Sequence, residues 1–547
     1  MSQTNRSSET RSIRSLKQKA KKGNIYSALQ LKDYYESGKF VEKNLSEAEN
    51  YKKLAYDFFK EQKVELSRLD LVNFRAFELA SFENLDSNLN IFIGNNGSGK
   101  TTILDAIHLS LSWLSISINK NGGNGDQVEK DDINIYNKAH YSSVSSTISL
   151  NNNIKASIEL NQIKDGYSKI RSKYNEIKTI GDLYKISNEF DEGFNMPLLA
   201  YYNVMRSYDV NPKDLKESYD ISDFSSYDKF DAYQRSLTGK TDFNSFFRWY
   251  KKITDIQLKR TKVPVSVLKI LVDKMSNELG FDIQDGSTEQ VEMLKMLASK
   301  FEDRVESDSL ASNKDITKHV DIINKVISVF MDGYSNLEIQ YEPYLDLVVS
   351  KNGRKISVLR LSQGEKTLLA LVLDIAKRLI LLNPTLSDPL SGNGIILIDE
   401  FDLHLHPLWQ KTVARNLITV FPNCQFFLTT HSSLVLTEVG HKHIFILNED
   451  REGKIDISRP NQSYGLDSSQ VLDELMSSDS HKQISRSSYV QQKLGLISDL
   501  IDEESKESLT LARSEIALLE SEINGDIPEL VKEKIRLETA LSWLDDD

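Results

Sequence analysis

The sequence contains one cysteine and no long hydrophobic segment among its 547 residues. A single cysteine, Cys424, excludes an internal disulfide and is typical of a protein kept in a reducing compartment. No run of about 18 apolar residues is present, which predicts no transmembrane helix. The polar, basic N-terminus lacks the apolar core of a secretory signal. We therefore expect a cytoplasmic protein without a membrane partner.

The chain also lacks a net positive charge. It contains 68 Lys and Arg and 80 Asp and Glu, so its formal charge is −12. Proteins that bind nucleic acid mainly by electrostatic attraction are usually basic overall. Contact with DNA or RNA would therefore need a local patch. The first 22 residues are one candidate, because they hold seven Lys and Arg and a single acid, Glu9. A solvated, frayed tail is the alternative interpretation.

The clearest motif is GNNGSGKT, which matches G-x-x-x-x-G-K-[ST] at every position, follows an apolar strand and opens a helix. Its glycines let the backbone curl so that N–H groups point at phosphate oxygens, and the helix N-terminus favours an anion. We predict that Lys100 reaches the β- and γ-phosphates and that Thr101 offers a hydroxyl to Mg²⁺. The predicted cofactors are ATP and Mg²⁺. The predicted nucleotide-binding residues of the loop are Gly94, Asn95, Asn96, Gly97, Ser98, Gly99, Lys100, Thr101 and Thr102.

A second motif, IILIDE at residues 395–400, places two acids after four apolar residues. Four such residues predict a buried parallel strand, and ligands of open α/β sheets bind at the carboxyl ends of their strands. We predict that Asp399 holds the Mg²⁺ shell. Glu400 would orient or deprotonate the attacking water, which makes it the main catalytic candidate.

A third motif, LSQGEK at residues 361–366, opens a long apolar helix. Ser362 has no neighbouring histidine that would make it a nucleophile. Phosphoryl transfer needs positioning and charge stabilisation more than a covalent nucleophile. Ser362 and Gly364 at a helix start therefore predict an anion site suited to a γ-phosphate. An ordinary capped helix is the alternative.

These three motifs, with LSQGEK lying between the phosphate loop and the acidic strand in the sequence, resemble the ABC ATPase superfamily, with LSQGE in place of the commoner signature LSGGQ. In that superfamily the signature faces the nucleotide of the opposite subunit, so the resemblance implies a homodimer or higher oligomer that encloses ATP. Asp402 matches the D-loop at the dimer interface, and His431 matches the switch histidine that contacts the γ-phosphate. Arg75, in LVNFRAF, is similar to an arginine that SMC- and RecF-like ATPases carry beside the nucleotide. For the Q-loop, only Gln127 and the pair Asp131 and Asp132 are candidates.

Among ABC ATPases, the stretches NFRAF, GNNGSGKTT, LSQGEK, LIDEFDLHLHP and TTHS resemble the soluble RecF/OLD-like group. OLD proteins continue into a Toprim nuclease, whereas the 116 residues after His431 turn helical here. Together with MPLLAYYNVMRS and YGLDSSQVLDELM, the motifs are similar to the ATPase of Septu-type antiphage systems, PtuA, in its retron-associated form. The resemblance implies a separate HNH nuclease partner (PtuB-like). In retron versions it also implies a reverse transcriptase and its RNA-linked DNA.

The predicted fold class is α/β, an ABC-type P-loop ATPase with a mixed central sheet. Residues 1–62 form the basic tail and a helical hairpin, similar to a Sel1-like repeat, with Ser46 as a helix cap. The ATPase lobes are 63–160 and 336–465, and a mainly helical insertion occupies 161–335. Residues 466–547 form a helical region for partner binding or dimerisation. This region carries an apolar stripe formed by Leu494, Leu496, Ile497, Leu500 and Ile501. We expect the stripe to dock the nuclease. The alternative is that it packs on the ATPase or mediates dimerisation.

Two other functions fit the same motifs. One is a RecF-like DNA-repair clamp that binds DNA directly and needs no nuclease. The other is a scaffold in which ATP binding organises an oligomer and turnover is minimal. The acidic net charge and the Sel1-like hairpin favour the defence ATPase over the clamp, and an intact Glu400 argues against a purely structural role.

Overall fold

The structure is a computed structural model that describes most of the chain. The described ranges are 11–60, 62–119, 123–151, 154–168, 170–205, 229–261, 318–342, 345–450, 453–476, 487–523 and 525–545. They belong to two units, Met1–Tyr464 and Gly465–Asp547. Much of the predicted helical insertion, at 206–228 and 262–317, lies outside the described residues, as do the first ten residues of the basic tail.

Thirteen strands are described. They are β1 (Val64–Phe74), β2 (Phe77–Phe82), β3 (Leu89–Gly94), β4 (Tyr141–Leu150), β5 (Ile154–Ile163), β6 (Leu198–Tyr202), β7 (Tyr334–Gln340), β8 (Asp346–Lys351), β9 (Arg354–Ser357), β10 (Gly394–Ile398), β11 (Cys424–Thr429), β12 (Ile444–Glu449) and β13 (Ile455–Ser458).

The helices of the first unit are α1 (Arg11–Lys21), α2 (Ile25–Ser37), α3 (Leu45–Phe59), α4 (Lys100–Asn119), α5 (Asn175–Phe190), α6 (Phe243–Thr261), α7 (Gln363–Leu382), α8 (Pro407–Val420) and α9 (Ser433–Leu436). Residues 318–330 are also helical. The helices of the second unit are α10 (Ser468–Leu475), α11 (Ser488–Asp502), α12 (Lys506–Ile523) and α13 (Pro528–Asp545).

The first unit is built around a six-stranded sheet in the order β13-β12-β3-β11-β10-β6. Five neighbouring strands run parallel, and β13 pairs antiparallel with β12 at one edge. The motif strands β3 and β10 flank β11, so their carboxyl ends meet at the same edge of the sheet. This mixed sheet with surrounding helices confirms the predicted α/β ATPase fold class.

Strand β6 lies within the segment for which we expected mainly helices. Its residues LLAYY are all buried, and it pairs in parallel with β10 at the other edge of the central sheet. A short apolar run fits a buried strand and a buried helix equally well, and periodicity alone does not separate them. Pairing with β10, which lies almost 200 residues later in the sequence, makes this run a strand.

A second, antiparallel sheet in the order β2-β1-β4-β5 completes the first lobe. Helix α4 packs near it and near the central sheet. Within the described residues, α4 is the one helix long and apolar enough to cross a membrane by length and composition, and 78% of the tested window is buried inside the protein. Its apolar composition is that of a core helix.

The N-terminal segment forms three helices rather than a hairpin behind a frayed tail, because residues 11–21 are the helix α1. The α3 cap is Asn44, whose side chain accepts a hydrogen bond from the Glu47 N–H at 3.1 Å, so the prediction of Ser46 as the cap is wrong. Asparagine accepts such bonds readily, and the helix therefore begins two residues earlier than predicted. Helix α3 packs on α5, with the Phe59 and Tyr184 rings 4.6 Å apart.

A third sheet has three strands: β7 and β8 pair antiparallel, and β9 then pairs antiparallel with β8. The turn between β8 and β9 is formed by Asn352 and Gly353, whose φ values are 48° and 77°. Two successive positive φ values are typical of a tight hairpin turn, which Asn-Gly favours.

Helix α7 contains a buried charged pair. Asp374 and Arg378 are 0% and 2% exposed, with Arg378 Nε 2.8 Å from Asp374 Oδ2. The Tyr202 hydroxyl, at the end of β6, donates to the same oxygen at 2.8 Å. Arg378 also donates to the carbonyls of Ala232 and, at 3.0 Å, Gln234. The pair therefore fixes α7 to the edge strand and to the segment that follows it.

The second unit has its own core, formed by α11, α12 and α13. Ile497, Leu500 and Ile501 of the predicted docking stripe are buried in this core, and Leu494 packs against it. Only Leu496, 44% exposed, faces outward. The prediction that the stripe docks the nuclease is therefore wrong, because most of it already packs against the neighbouring helices of the same unit.

We expect Asp374→Ala to lower the free energy of unfolding by about 3–5 kcal/mol, because it leaves the buried Arg378 charge without its carboxylate. The measurement is urea unfolding of the full chain. Glu83→Ala, which breaks the exposed pair between Glu83 and Arg68, is the control and should change stability little. Equal midpoints for the two variants would contradict the stabilising role of the buried pair.

Candidate active site

The phosphate loop connects β3 to α4. Gly97 and Gly99 have φ values of 88° and 90°, in the left-handed region that favours glycine. A Cβ at Gly99 would lie 2.6 Å from the Phe77 ring, so this position also needs glycine because β2 approaches so closely. Local backbone geometry and packing therefore both account for the motif's glycines.

Lys100 is folded back onto its own loop. Its Nζ donates to the carbonyl oxygens of Gly94 and Asn95 at 2.9 and 2.8 Å, and the residue is only 7% exposed. Burial lowers the pKa of Lys100, against the opposing charges of Asp399 and Glu400. An ammonium held by two carbonyls in a curled loop is well placed to exchange them for phosphate oxygens, which are stronger acceptors.

Asp399 brings the two main motifs together. Its Oδ2 accepts a hydrogen bond from the Thr101 hydroxyl at 2.9 Å, and its Oδ1 accepts one from the Thr429 hydroxyl at 2.5 Å. The carboxylate is almost fully buried between the ends of β10, β11 and the start of α4. A hydroxyl and a carboxylate oxygen side by side are hard oxygen ligands of the kind that Mg²⁺ prefers.

Glu400 adopts a left-handed backbone conformation, with φ at 42°. Its N–H donates to the Thr429 hydroxyl at 2.7 Å. Non-glycine residues in this region cost roughly 1–3 kcal/mol and cluster at functional sites. Thr429 thus holds both acids of the motif. The sequence did not indicate this role, because the stretch TTHS resembles the ATPase family through its histidine.

His431 follows the end of β11, close to the charged residues of both motifs. Burial, followed by the positive charge of Lys100, lowers the pKa of His431, and the charges of Glu400, Asp402 and Asp399 oppose this. The imidazole is therefore neutral at pH 7 and can accept or donate a hydrogen bond. The structure brings Lys100, Asp399, Glu400 and His431 into one electrostatic cluster.

Ser362 is the N-cap of α7 and forms a capping box with Glu365. The Ser362 N–H donates to the Glu365 carboxylate at 2.7 Å, and Lys351 Nζ lies 2.8 Å from that carboxylate. Burial alone would raise the pKa of Glu365, but hydrogen bonds from Lys351, Tyr334 and Ser362 outweigh it and lower the pKa to about 2. The acid in the signature is therefore ionised and paired with a lysine.

Gly364 has a packing role that the sequence did not reveal. A Cβ at this position would lie 2.0 Å from the carbonyl oxygen of His404, so only glycine lets α7 start against this backbone. His404 lies in the D-loop segment two residues after Asp402, and its φ is 64°. The signature and the D-loop of one chain are therefore in direct contact.

Gln410, on α8, connects the D-loop to the segment that carries the histidine. Its Nε2 donates to the carbonyls of Asp402 and Leu405 at 3.4 and 3.1 Å, and its Oε1 accepts from the Ser432 hydroxyl at 2.8 Å. Ser432 is the neighbour of His431. No sequence motif could indicate this role, because two of the three partners are backbone carbonyls.

Arg75 is held in a cluster of acids at the start of α4. Its guanidinium pairs with Asp105 at 2.5 Å and with Asp132 at 2.8 Å, and the Tyr201 hydroxyl donates to Asp105 at 2.9 Å. Asp105 is one turn beyond Thr101, so Arg75 lies beside the phosphate-loop helix and its charge is paired with Asp105 and Asp132.

The Q-loop candidate Gln127 lines a separate cavity of about 300 Å³.

The residues present fit the predicted cofactors. The curled loop, the buried Ser98 hydroxyl that has no hydrogen-bond partner within the described residues, and the Thr101–Asp399 pair all offer groups suited to a triphosphate and its metal. Thr101 and Asp399 would hold Mg²⁺, which would supply charge neutralisation at the phosphates. Lys100 would bind phosphate oxygens, and Glu400 would orient a water molecule and accept its proton.

The chain is similar to several known proteins. A family model described as "AAA domain, putative AbiEii toxin, Type IV TA system" matches residues 89–437. The chain is 35% identical to "Retron Vc95 probable ATPase" of Vibrio cholerae serotype O1 biovar El Tor over 459 residues, 83% of this chain and 87% of that protein. It is 38% identical to "Septu protein PtuA" of Bacillus mycoides (strain KBAB4) over 104 residues, 19% of this chain and 14% of that protein. It is 32% identical to "DNA replication and repair protein RecF" of Clostridium novyi (strain NT) over 123 residues, 22% of this chain and 31% of that protein.

The parallel sheet, the phosphate loop and the acidic strand end define an ABC-type P-loop ATPase. Because the likeness to the Vibrio cholerae protein extends over more than four fifths of both chains, this chain belongs to the retron ATPase family. The predicted ATPase activity and the predicted relation to retron and Septu ATPases are confirmed.

We expect Glu400→Gln to bind ATP normally and to hydrolyse it at least about 100-fold more slowly, because the amide cannot accept the proton of the attacking water. Nucleotide affinity and phosphate release are measured separately. Glu449→Gln, at the exposed end of β12, is the matched control and should keep the native rate. A native hydrolysis rate in Glu400→Gln would show that another group handles the water.

We expect Gln410→Ala to lower kcat about tenfold without changing ATP affinity or the melting temperature, because it releases the D-loop from the Ser432–His431 segment. Lys411→Ala, an exposed neighbour on α8, is the control and should leave all three unchanged. Equal losses in affinity, melting temperature and kcat would mean that Gln410 only supports the fold.

Proposed function

We propose that this chain is the ATPase subunit of an antiphage defence complex of the Septu or retron type. It dimerises around ATP and controls a separate HNH nuclease, so that ATP binding or turnover restrains or licenses cleavage. The observation that carries the proposal is the likeness to a retron ATPase along most of the chain, joined with an intact set of ATPase residues around Asp399.

The arrangement of the site supports the proposed dimer. The phosphate loop, the metal-binding pair, Glu400 and His431 lie at one edge of the central sheet. Ser362 caps α7, and Gly364 packs on the D-loop of the same chain. A signature anchored in this way is suited to meet the nucleotide of a second copy, and a homodimer with two enclosed ATP molecules is the simplest symmetric solution.

The proposed partners are supported by the names of the relatives and not by the geometry of the site. The relative that matches most of the chain is named for a retron, and another is named a Septu protein. For this chain we therefore propose an HNH nuclease (PtuB-like) as the main partner, with a reverse transcriptase and RNA-linked DNA as further members of the complex. The RecF likeness covers only 22% of the chain, and no observation favours a repair clamp over the defence ATPase.

The test is affinity purification of the tagged Glu400→Gln protein from its native host, with ATP and Mg²⁺, followed by mass spectrometry and nucleic-acid staining. An HNH protein at near-equal amounts, with or without a small DNA–RNA species, is the expected result. Recovery of the chain alone, or with bulk chromosomal DNA, would overturn the proposal and favour the repair clamp.

A further inference from the structure

Helix α1 carries a dense set of positive charges on one side. Within residues 11–22 there are six Lys and Arg and no acid. Five of these side chains are exposed, and they form what we call the cationic face: Arg11, Arg14, Lys19, Lys21 and Lys22. At 100° per residue, Arg11, Arg14 and Lys19 lie about 100° or more around the helix from the buried Ile13 and Ala20. Lys21 lies at the border of this face, and Lys22 directly follows the last residue of the helix.

This charge is segregated from the rest of the molecule. The whole chain carries −12, and residues 11–22 contribute six positive charges, so the remainder carries −18. The neighbouring helices α2 and α3 mix acids and bases, as in the pair between Lys32 and Glu36. Within the part of the chain that the structure describes, no acid forms an ion pair with Arg11, Lys19 or Lys22. The charges of these three exposed residues therefore face solvent.

Helix stability does not explain this composition. Cations are favourable near a helix C-terminus, which accounts for Lys19 and Lys21 in the last turn of α1. The same dipole disfavours cations in the first turn, yet Arg11 and Arg14 lie there and the first turn contains no Asp or Glu. A surface that only needed solubility would be expected to mix both signs.

The opposite side of α1 is already occupied. Ile13 and Ala20 are buried where α1 packs on α2, and Lys17 lies over the Tyr35 ring. An amphipathic basic helix that binds a membrane must insert its apolar side into the lipid, and here that side is part of the protein core. The observations therefore favour a partner that is recognised by charge alone.

We propose that the cationic face of α1 binds the phosphodiester backbone of a nucleic acid. The helix has 11 residues, about 16 Å of length, and duplex DNA presents one negative charge per roughly 1.7 Å of axis. Several phosphates therefore face the helix at once. This surface is separate from the ATP site, and it supplies the local basic patch that an acidic protein needs to hold DNA or RNA.

The test compares the full-length protein with the triple variant Arg11→Gln, Lys19→Gln and Lys22→Gln. A matched control, Lys39→Gln, Lys43→Gln and Lys53→Gln, removes three exposed cations from the same three-helix segment. Binding to fluorescein-labelled 20-nucleotide single-stranded DNA, 20-base-pair DNA and a 20-base RNA hairpin is followed by fluorescence anisotropy between 50 and 300 mM NaCl. ATPase rate and melting temperature verify that each variant is folded.

The expected result is binding of at least one probe by the native chain and the control. The triple variant should bind it at least about tenfold more weakly at 100 mM NaCl, with a log–log salt slope reduced by about 2–3. The preferred probe then identifies DNA or RNA as the source of the backbone. If the triple variant fails to fold, Arg11→Gln alone should lower the slope by about 1.

Three results would overturn the proposal. They are equal affinities for the triple variant and the control, no binding of any probe by the native chain at 50 mM NaCl, and binding only to vesicles of phosphatidylglycerol and phosphatidylcholine. The last would assign the face to an anionic membrane surface instead. None of these outcomes depends on ATP hydrolysis. Each would therefore contradict the nucleic-acid proposal without contradicting the proposed role as a defence ATPase.

Discussion

The site depends on one carboxylate, that of Asp399. It accepts hydrogen bonds from Thr101 at the start of α4 and from Thr429 at the end of β11, and so joins three elements that are far apart in the sequence. A buried carboxylate is costly unless its oxygens are paired, and two hydroxyl donors stabilise it while leaving it able to bind a cation. Glu400 is positioned through the same threonine. The arrangement therefore fixes the metal-binding oxygens and the water-orienting acid together.

A second constraint is the contact between the signature and the D-loop. Gly364 lies against the carbonyl of His404, and Gln410 connects that loop to the segment of His431. In a symmetric dimer, a signature that senses the partner's nucleotide would thereby be connected to the histidine of its own site. This series of close contacts, from the signature through the D-loop to the segment of His431, is a physical route by which the two ATP sites could influence one another.

The sequence predicted the phosphate loop, the acidic strand end and the fold class because each depends on short-range patterns. Glycines at left-handed positions, an apolar run before two acids and a strand–loop–helix order are visible in consecutive residues. Features that depend on distant contacts were missed. Strand β6 needed β10 to define it, Gln410 binds backbone carbonyls, and the C-terminal stripe became an internal core because α12 and α13 fold over it. The roles of Arg75 and the Q-loop candidates stay predictions, since Arg75 is paired with Asp105 and Asp132 in this structure.

The most direct measurement of the central claim, a site shared between two copies, uses mixed dimers of Lys100→Ala and Ser362→Arg. Each variant should be inactive alone, because each dimer of one kind has two damaged sites. Dimers that contain one copy of each, purified through two different tags, regain one intact site only if the signature acts on the partner's nucleotide. We expect these mixed dimers to recover about half of the native ATPase rate. Activity no higher than that of either variant alone would contradict a shared site.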